Sequence, residues 1–551
     1  MMKEEILDGF WDFSFTGETQ EYKGIQSAEY STKMPVPGCF DVEPGYKLRR
    51  GVGIYRCFVN IGGMVKLTLD ALGPKGRVYW DGKLLGEYVL PFSREEFCFN
   101  GGADGEHELC VEVDNRSDNS FDSLFPGFYD FYRHGGIYRS VKIKSLSEWD
   151  IEYVKIIPID LSKCTVEVSI ELSGTFPAEV QGEFSFDGGD KSQLEISGGS
   201  GTFILTVPDC QLWSPENPHL HRFDLRFGEY LRSVEFGMRT IKATDGQLLL
   251  NGKPLKLIGY NRHDSHPDFG YAVPEVLVKR DLELIKQQGC NFVRGSHYPQ
   301  SEYVLKWCDR LGLLLWEESI GWGNSVNYLK NEDFRRRQLE QTRRMVRRSI
   351  NHPCIVLQGF MNELASDQLE AKTLVAELAT AIRQEDGSRP VTYASNLPMT
   401  DICLDEIDVI SFNLYPGWYI NDNMTDIQQF DTEGFEKALL AYEKVISTPD
   451  RINKPYIISE VGAAALPGNH GDVRWSEEYQ SELAEAVFRH VLNSNRCNGV
   501  SLWIFCDTRS YNDYNAPARP RGFNNKGVLD EYRRPKMAWN LITKILKGQK
   551  K

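Results

Sequence analysis

The stretch CIVLQGFMNE, residues 354–363, is a hydrophobic run that ends in an amide and a carboxylate. A second run, PYIISE at residues 455–460, ends in the same way on a glutamate. Short, continuously apolar runs are typical of strands that are buried on both faces, as in parallel sheets. A (β/α)₈ barrel gathers the residues that end its strands at one mouth. The two stretches therefore favour a barrel with Glu363 and Glu460 at the same mouth.

The rest of the chain from about residue 245 onward fits this interpretation, because strand-like runs alternate with helix-like patterns. Helices are predicted over Pro274–Gln288 and Arg335–Ile350, among others. Eight candidate strands can be counted, the number that a closed barrel needs. They are Leu255–Asn261, Asn291–His297, Leu313–Glu318, Cys354–Glu363, Val391–Asn396, Asp408–Tyr415, Tyr456–Glu460 and Val500–Phe505. Polar or aromatic residues end nearly all of them, which favours one functional mouth.

The chain before the predicted barrel indicates two β domains. Residues 1–145 carry short alternating runs broken by Gly-rich turns, with a hairpin signal at Asp81-Gly82, and this favours a jelly-roll β-sandwich. Residues 146–242 carry a second alternating series that fits an immunoglobulin-like β-sandwich. Residues 243–551 are predicted to form the TIM barrel. The predicted fold class is thus a multidomain β and α/β chain.

Composition excludes several classes of partner. The net charge of the 551 residues is −15 at pH 7, so nucleic acid is not expected as a partner. No run of about 18 apolar residues occurs, so no membrane partner is expected either. The first residues, with Lys3, Glu4 and Glu5, do not resemble a signal peptide, which predicts a cytoplasmic protein. The 12 cysteines lack a C-x-x-C pair and are expected to be reduced, without a zinc site.

Two carboxyl groups at one barrel mouth are what hydrolysis of a glycosidic bond needs. One must stay protonated to donate to the leaving oxygen, and the other must be ionised to attack the anomeric carbon. A separation of about 5–5.5 Å between them gives retention of configuration, and a wider gap admits water and gives inversion. Asn362, beside Glu363, is placed to hydrogen-bond the sugar 2-hydroxyl. This chemistry needs no cofactor.

The motifs of the chain resemble those of glycoside hydrolase family 2, and among its members most of all the bacterial β-glucuronidases that lack a long aglycone-covering loop. Asn362-Glu363 is similar to the acid/base motif of the family, and the segment 459–462 (SEVG) to its nucleophile strand. The segments 262–264 (RHD), 294–299 (RGSHYP) and 413–419 (NLYPGWY) resemble other barrel strands of the family. The resemblance implies a retaining mechanism, with Glu460 as nucleophile and Glu363 as acid/base.

The resemblance also implies which residues hold the substrate, a β-hexuronide. Asn524 and Lys526 fit the Asn-x-Lys pattern that grips the sugar carboxylate, and Lys526 would supply the cation that the acidic surface lacks. The segment 128–132 (FYDFY) resembles a jelly-roll loop that reaches into the site, with Asp130 on the distal hydroxyls. Arg521 is a further candidate for the carboxylate. The remaining candidates for substrate contact are His263, His297, Tyr415, Tyr419 and Trp503, with Tyr415 also expected to hydrogen-bond Glu460.

Several alternatives remain open at the level of sequence. A β-galacturonidase would keep Lys526 but accept an axial C4 hydroxyl, whereas a β-galactosidase would have no use for Asn524 and Lys526. The segment 261–267 (NRHDSHP) is closer to family 2 galactosidases than to typical glucuronidases. A non-catalytic carbohydrate-binding protein would share the architecture, but it would not need both glutamates. No metal site is expected. The oligomeric state stays open, homo-oligomers included.

Overall fold

The computed structural model describes residues 4–116, 124–125, 129–419, 429–510 and 518–548. Phe128, the first residue of the FYDFY segment, lies outside these ranges. Strands β1–β12 form the N-terminal part. Their bounds are Glu4–Ile6, Gly9–Gly17, Thr32–Val36, Gly38–Cys39, Gly51–Ile61, Met64–Leu69, Lys75–Trp80, Lys83–Tyr88, Glu95–Asn100, Gly105–Asp114, Gly136–Ile137 and Val141–Ser145.

Ten of these strands build two facing antiparallel sheets, in the orders β1-β12-β6-β9 and β3-β2-β5-β10-β7-β8, as a β-sandwich requires, and β4 pairs with β11 in a separate two-stranded sheet. The inner face of each sheet is apolar, because alternate residues of a strand point to opposite faces. Trp11, Phe13 and Tyr55 from the larger sheet pack with Leu67 and Ile143 from the smaller one in a single core. The alternation of apolar and polar residues along these strands therefore allows the two sheets to pack face to face.

A seven-stranded unit follows, with strands β13–β19 in the order β13-β14-β17-β16-β15-β18-β19. Only the pair Ser197 and Ser200 joins β16 to β17, so the unit divides there into two halves that enclose one core. A three-stranded sheet, β20–β22, leads into the barrel. The bounds of β13–β22 are Trp149–Asp160, Thr165–Gly174, Glu179–Phe186, Ser192–Ser197, Ser200–Thr206, His221–Phe227, Tyr230–Phe236, Ile241–Thr244, Gln247–Leu250 and Lys253–Leu255.

The C-terminal part is a closed barrel of eight parallel strands, β23–β30, which confirms the predicted barrel. The strands are Leu257–Asn261, Phe292–Gly295, Leu314–Trp322, Ile355–Asn362, Val391–Ser395, Ile410–Asn413, Tyr456–Glu460 and Cys497–Leu502. Several strands end one or two residues before the predicted bound, because the residues at the mouth leave the hydrogen-bonded ladder. A short hairpin, β31 (Thr508–Arg509) and β32 (Phe523–Asn524), extends the rim.

Helices surround the barrel and contribute to its packing against the other units. The α-helices of the described chain, α1–α8, are Glu275–Gln288, Glu302–Leu311, Val326–Lys330, Glu332–Ser349, Leu369–Glu385, Thr432–Val445, Glu477–Asn493 and Met537–Gly548. Short 3₁₀ turns occur at Ile25–Ser27, Phe40–Val42, Leu404–Glu406 and Pro520–Gly522. Among the helices of these ranges, none has both the length and the apolar character that a membrane crossing demands.

Helix α4 connects the three parts of the chain through its arginines. Arg344 Nη1 donates to Glu95 of the N-terminal sandwich over 2.7 Å, and Arg347 pairs with Glu171 of the second sandwich. The guanidinium of Arg347 also lies 3.7 Å from the centre of the Tyr153 ring. A cation that stacks on an aromatic face while it pairs with a carboxylate is held more firmly than a solvated surface pair. The helix thus fixes both sandwiches to the barrel wall.

The barrel wall has no room for a side chain at Gly259, where two strands approach closely. A Cβ on Gly259, in β23, would lie 1.7 Å from the carbonyl oxygen of Phe292 in the neighbouring strand. A backbone carbonyl cannot move aside as the end of a flexible side chain can, so the two strands would have to separate. Glycine is therefore required here by the close approach of two strands.

We predict that Gly259→Ala lowers the free energy of unfolding of the barrel by about 3 kcal/mol or more, at or above the usual upper range for overpacking. Gly105→Ala is the matched control, because a Cβ on that strand glycine would meet nothing within 4 Å. Scanning calorimetry of the two variants should show a clear drop in melting temperature for the first only. Equal melting temperatures would contradict the close approach of β23 and β24.

Candidate active site

The candidate site lies at the carboxyl ends of the barrel strands. Glu460 is the last residue of β29, and Glu363 follows β26 directly. Glu460 is 4% exposed and Glu363 is half-buried. Glu363 has a backbone φ of 52° and Met361 one of 41°. Positive φ is uncommon outside glycine and concentrates at functional sites, where the surrounding structure enforces it. The turn therefore directs the Glu363 side chain to the mouth that Glu460 shares.

Glu460 is held by a cation on one oxygen and a hydroxyl on the other. Arg294 Nη1 donates to Oε1 over 2.8 Å, and the Tyr415 hydroxyl donates to Oε2 over 2.7 Å, as predicted for this tyrosine. Burial raises the pKa of Glu460, and the Arg294 charge and the Tyr415 hydrogen bond work against that rise. Both donors favour the ionised carboxylate and fix its orientation.

Glu363 has a different environment, without a cation in contact. Its one side-chain hydrogen bond among the described residues comes from Asn413 Nδ2, over 2.7 Å. Burial and the negative charge of Glu460 raise the pKa of Glu363 to about 8. Two carboxyls at one mouth are thus driven apart in proton affinity. Glu363 is suited to carry a proton at neutral pH, and Glu460 is suited to be ionised.

Asn362 and Asn413 form a hydrogen-bonded bridge beneath the two glutamates. Asn413 Nδ2 also donates to Asn362 Oδ1 over 3.0 Å, while Ser459 donates to Asn413 Oδ1 over 2.8 Å. The Asn362 amide is fully buried, and its Nδ2 has no hydrogen-bond partner in the described part of the chain. A buried donor without a partner is costly unless a ligand accepts from it. Asn362 is therefore placed as a donor toward a bound molecule.

One wall of the site is aromatic. The His297 ring stacks on Trp503 with centroids 5.1 Å apart and planes at 15°, and His263 meets Trp503 edge-on at 5.6 Å. Phe131 of the N-terminal sandwich lies against His263 at 5.0 Å. Burial holds the pKa of both histidines well below the usual value, so their rings are neutral. Nε2 of each is buried without a hydrogen-bond partner in the described ranges, and is available to a polyol.

A lysine lies in an aromatic enclosure near Glu460, since one of the rings around it is that of Tyr415, which hydrogen-bonds Glu460. Lys526 Nζ donates to the Tyr419 hydroxyl over 2.8 Å and lies 4.9–5.7 Å from the ring centres of Tyr415, Trp418 and Tyr419. The side chain is 2% exposed. Burial and the nearby Arg519 hold its pKa well below the usual lysine value. Within the described ranges no carboxylate forms an ion pair with this ammonium group, so a bound anion would supply a counter-charge to the predicted carboxylate anchor.

Asp130 reaches this part of the site from the N-terminal sandwich. Its carboxylate accepts hydrogen bonds from the Ser510 hydroxyl, from Nε and Nη2 of Arg519 and, over 3.2 Å, from Asn524 Nδ2. Burial alone would raise the pKa of Asp130, but the Arg519 charge outweighs it and holds the pKa below the usual carboxyl value. Asn524, through its own oxygen, also accepts from the backbone N–H of Lys526 over 3.3 Å. The candidates Asp130, Asn524 and Lys526 are thus brought together.

Arg521 does not join this group, contrary to the sequence-based expectation. It is bound to Glu531, with Nη1 2.7 Å from Oε1, and donates to Asn525 over 3.2 Å. Its side chain is 46% exposed. Arg519, two residues earlier, occupies the buried position beside Asp130 instead. Arg521 lies in the short turn at Pro520–Gly522 with a φ of 62°, and its side chain and that of Arg519 reach different carboxylates.

Residues 241–549 match the family model "Glycosyl hydrolases family 2, TIM barrel domain". The chain belongs to glycosyl hydrolase family 2. It is 31% identical to the β-glucuronidase of Mus musculus over 434 residues, which cover 74% of this chain and 63% of that protein. The chain thus spans somewhat less than two thirds of the mouse relative.

Solved structures of the family superpose over nearly the whole chain. A β-galacturonidase from Eisenbergiella tayi is 30% identical, with a TM-score of 0.89 over 100% of this chain and 97% of that one. A β-glucuronidase from Bifidobacterium dentium, complexed with coumarin-3-O-glucuronide, is 25% identical, with a TM-score of 0.88 over 99% and 97%. The three-part architecture of this chain is therefore that of family 2 hydrolases.

Four polar residues of this site were not predicted as site residues: Arg294, Glu318, Asn413 and Arg519. Arg294 and Asn413 lie in segments whose likeness to the family is evident, and Glu318 ends a predicted strand. Their roles depend on whether each side chain points into the barrel mouth or away from it. In a strand that is buried on both faces, the hydrophobic pattern does not reveal this direction. No group of three or more His, Cys, Asp or Glu side chains that could hold a metal ion occurs in the described ranges.

We predict that Asp130→Asn lowers the free energy of unfolding by about 3–5 kcal/mol, because it leaves the buried Arg519 guanidinium without a counter-charge. The control is Asp333→Asn, whose partner is Arg336 in a pair that is 67% and 68% exposed. That change should cost about 1 kcal/mol or less. Calorimetric melting of the two variants checks this. If D130N melts with the parent protein, the pair with Arg519 does not neutralise a buried charge.

Proposed function

We propose that this protein is a retaining exo-glycosidase that hydrolyses terminal β-D-glucuronides. One observation carries the proposal: Glu363 and Glu460 lie at one barrel mouth, and their different partners separate their proton affinities. Arg294 and Tyr415 stabilise the ionised form of Glu460. Glu363, held by the amide of Asn413, has a pKa raised to about 8 by burial and by Glu460. Glycoside hydrolysis requires this division between a proton donor and a nucleophile.

In the first step, Glu460 attacks the anomeric carbon and forms a glycosyl ester while the bond from that carbon to the aglycone oxygen breaks. Glu363 gives its proton to that oxygen, so the aglycone leaves as a neutral alcohol. The buried Nδ2 of Asn362 is suited to donate to the sugar 2-hydroxyl, a contact that strengthens in the transition state. Trp503 and His297 supply an apolar face against the ring.

In the second step, the ionised Glu363 accepts a proton from water, whose oxygen attacks the anomeric carbon. The ester bond to Glu460 breaks, and Glu460 returns to its ionised form. Two inversions at one carbon give net retention. Glu363 thus acts first as an acid and then as a base, and a pKa near 8 lets it do both close to neutral pH.

Selection of a hexuronide rests on Lys526 and the residues around it. Lys526 lies buried in its aromatic enclosure, and Asn524 lies beside it. A C6 carboxylate that enters this part of the site would pair with a desolvated ammonium group, whereas a C6 hydroxyl would leave the ammonium without a counter-charge. Asp130 is held next to Asn524 by Arg519 and is suited to accept from other hydroxyls of the ring.

A β-galacturonidase is the second candidate, because the structural relative from Eisenbergiella tayi carries that description at 30% identity over the whole chain. The two sugars differ only in the direction of the C4 hydroxyl, and both offer a carboxylate to Lys526. A β-galactosidase fits less well, since its substrate has no anion for this lysine. A non-catalytic binding protein would not need two carboxyls with separated proton affinities.

The deciding experiment compares the p-nitrophenyl β-glucuronide, β-galacturonide and β-galactoside as substrates of the pure protein. We expect the largest kcat/KM for the glucuronide. Lys526→Met should lower that value about 10- to 150-fold, the range for loss of one hydrogen bond to a charged group. The galactoside should lose much less.

Lys437→Met is the matched control, because Lys437 is 71% exposed and pairs with Glu433 on the outer helix α6. It should leave all three rates unchanged. A larger kcat/KM for the galacturonide would assign the second candidate, and a preference for the galactoside would exclude both hexuronidases. Turnover of none of the three would indicate a binding protein.

The pH dependence of glucuronide turnover tests the division of roles. We predict that kcat/KM falls as pH rises through about 8, because Glu363 then loses the proton that it must donate. It should also fall at low pH, as Glu460 becomes protonated above the ordinary carboxyl value of 4.5. Glu363→Gln should lower kcat about 10²- to 10⁴-fold and abolish the basic limb.

Glu370 on α5, which pairs with Lys330 and is 34% exposed, provides the control, and Glu370→Gln should keep the full profile. A basic limb that persists in Glu363→Gln would show that another group is the acid.

A further inference from the structure

Glu318 is a buried carboxylate at the candidate site that the proposed mechanism does not use. It belongs to β25 and has no exposed surface. Its two oxygens accept from Nε and Nη2 of Arg294, each over 3.0 Å. Oε1 also lies 2.8 Å from Nδ1 of His297. Three nitrogen atoms therefore converge on a carboxylate that is not exposed at the surface of the site.

The geometry of Arg294 explains what Glu318 does. A guanidinium group has five N–H donors in a rigid plane. Two of them point to Glu318, and a third points to Glu460. The last two donate to Asn362 Oδ1 over 2.9 Å and Asn261 Oδ1 over 3.1 Å. Every donor is used, so the plane cannot rotate without losing bonds. Glu318, which holds two donors, contributes most to this orientation.

On the basis of the proposed function, we propose that Glu318 is a positioning residue for the nucleophile Glu460, acting through Arg294. It fixes the guanidinium plane that orients Glu460, and it shares the positive charge that would otherwise act on Glu460 alone. It also holds the His297 ring, whose Nε2 lies 3.8 Å from Glu460 Oε1. Glu318 thereby keeps Glu460 both aligned and basic enough to attack.

Electrostatics gives the sign of the effect. Glu318 and Glu460 compete for one cation: burial raises the pKa of Glu318 to about 7 against the charge of Arg294, and wherever Glu318 is ionised its negative charge raises the pKa of Glu460. Loss of that charge would leave Arg294 free to stabilise ionised Glu460, so its pKa would fall. The other titratable or charged groups that surround this pair come from several elements: Arg294, His297, Glu363, Tyr415 and Lys526. None of them changes in the variants used below.

The test measures ionisation of Glu460 directly. A 2-deoxy-2-fluoro-β-glucuronyl fluoride would label Glu460 covalently: the carboxylate forms an ester with the anomeric carbon, and fluoride leaves without a proton from Glu363. The rate of labelling against pH therefore reports Glu460 and not the acid. For Glu318→Gln we expect the acidic limb to move about one pH unit lower, with a rate on the plateau about tenfold or more below that of the parent protein.

Glu318→Asp separates charge from position. It keeps the charge but shortens the arm, so labelling should slow at every pH while the acidic limb stays in place. It also keeps the test decisive if Glu318→Gln does not fold. Labelling of Glu318→Asp at the parental rate would overturn the positioning role.

The neighbouring Glu317 is a matched control. It has the same burial and also binds an arginine, Arg348, over 2.7 Å, but that pair does not contact Glu460. Glu317→Gln should leave the acidic limb unmoved. A limb that moves in this control, or one that stays in place in folded Glu318→Gln, would overturn the proposal. If the parent protein itself is neither labelled nor active on glucuronides, the proposed function fails instead, and the two failures remain distinguishable.

Discussion

A single buried cation, Arg294, organises the mouth of this barrel. The guanidinium belongs to β24 and donates to residues on four other strands: Asn261, Glu318, Asn362 and Glu460. It also lies over the Trp316 ring at 4.4 Å. An unpaired buried cation would destabilise the fold by several kcal/mol. The strand ends must therefore converge, because their side chains supply the acceptors that stabilise this cation. The same convergence places the candidate nucleophile. Stability of the barrel and geometry of the site thus depend on one set of hydrogen bonds.

The site keeps its charges in two separate groups. In one group, the carboxylates of Glu318 and Glu460 share Arg294, and burial together with the charge of Glu460 raises the pKa of Glu363 to about 8. In the other group, Asp130 neutralises Arg519, and no carboxylate of the described residues forms an ion pair with Lys526. An incoming carboxylate would complete the second group without disturbing the first. Such an arrangement lets an acidic protein of net charge −15 accept an anionic sugar.

The N-terminal sandwich is part of this arrangement as well as a neighbour of the barrel. Asp130 and Phe131 come from it, and the backbone N–H of Tyr132 donates to Arg509 on the rim over 3.0 Å. Phe92 stacks on Tyr298 of the barrel with centroids 3.9 Å apart. Helix α4 holds both sandwiches through Arg344 and Arg347. A rigid interface is required, because a charge pair that spans two domains orients a substrate only if the domains do not move apart.

The sequence alone determined the order of the elements and the positions of the two glutamates. The eight strands follow from apolar runs, since a strand buried on both faces must be apolar throughout, and Glu363 and Glu460 follow from their place at the ends of those runs. The pairing of Tyr415 with Glu460 was also predicted correctly. Asp130 is different, since likeness to a known loop suggested it, and only its bonds to Arg519 and Asn524 bring it to the barrel wall.

Tertiary structure decided the partners of these residues. Arg519 rather than Arg521 is buried beside Asp130, whereas Arg521, with a positive φ in the turn, pairs with Glu531. Arg294, Glu318 and Asn413 became site residues only when five strands met at one mouth. Distance along the chain carries no information about which donor reaches which acceptor across a closed barrel. Proton affinities depend on those contacts and on burial, so the division of roles between the two glutamates is a property of the folded chain.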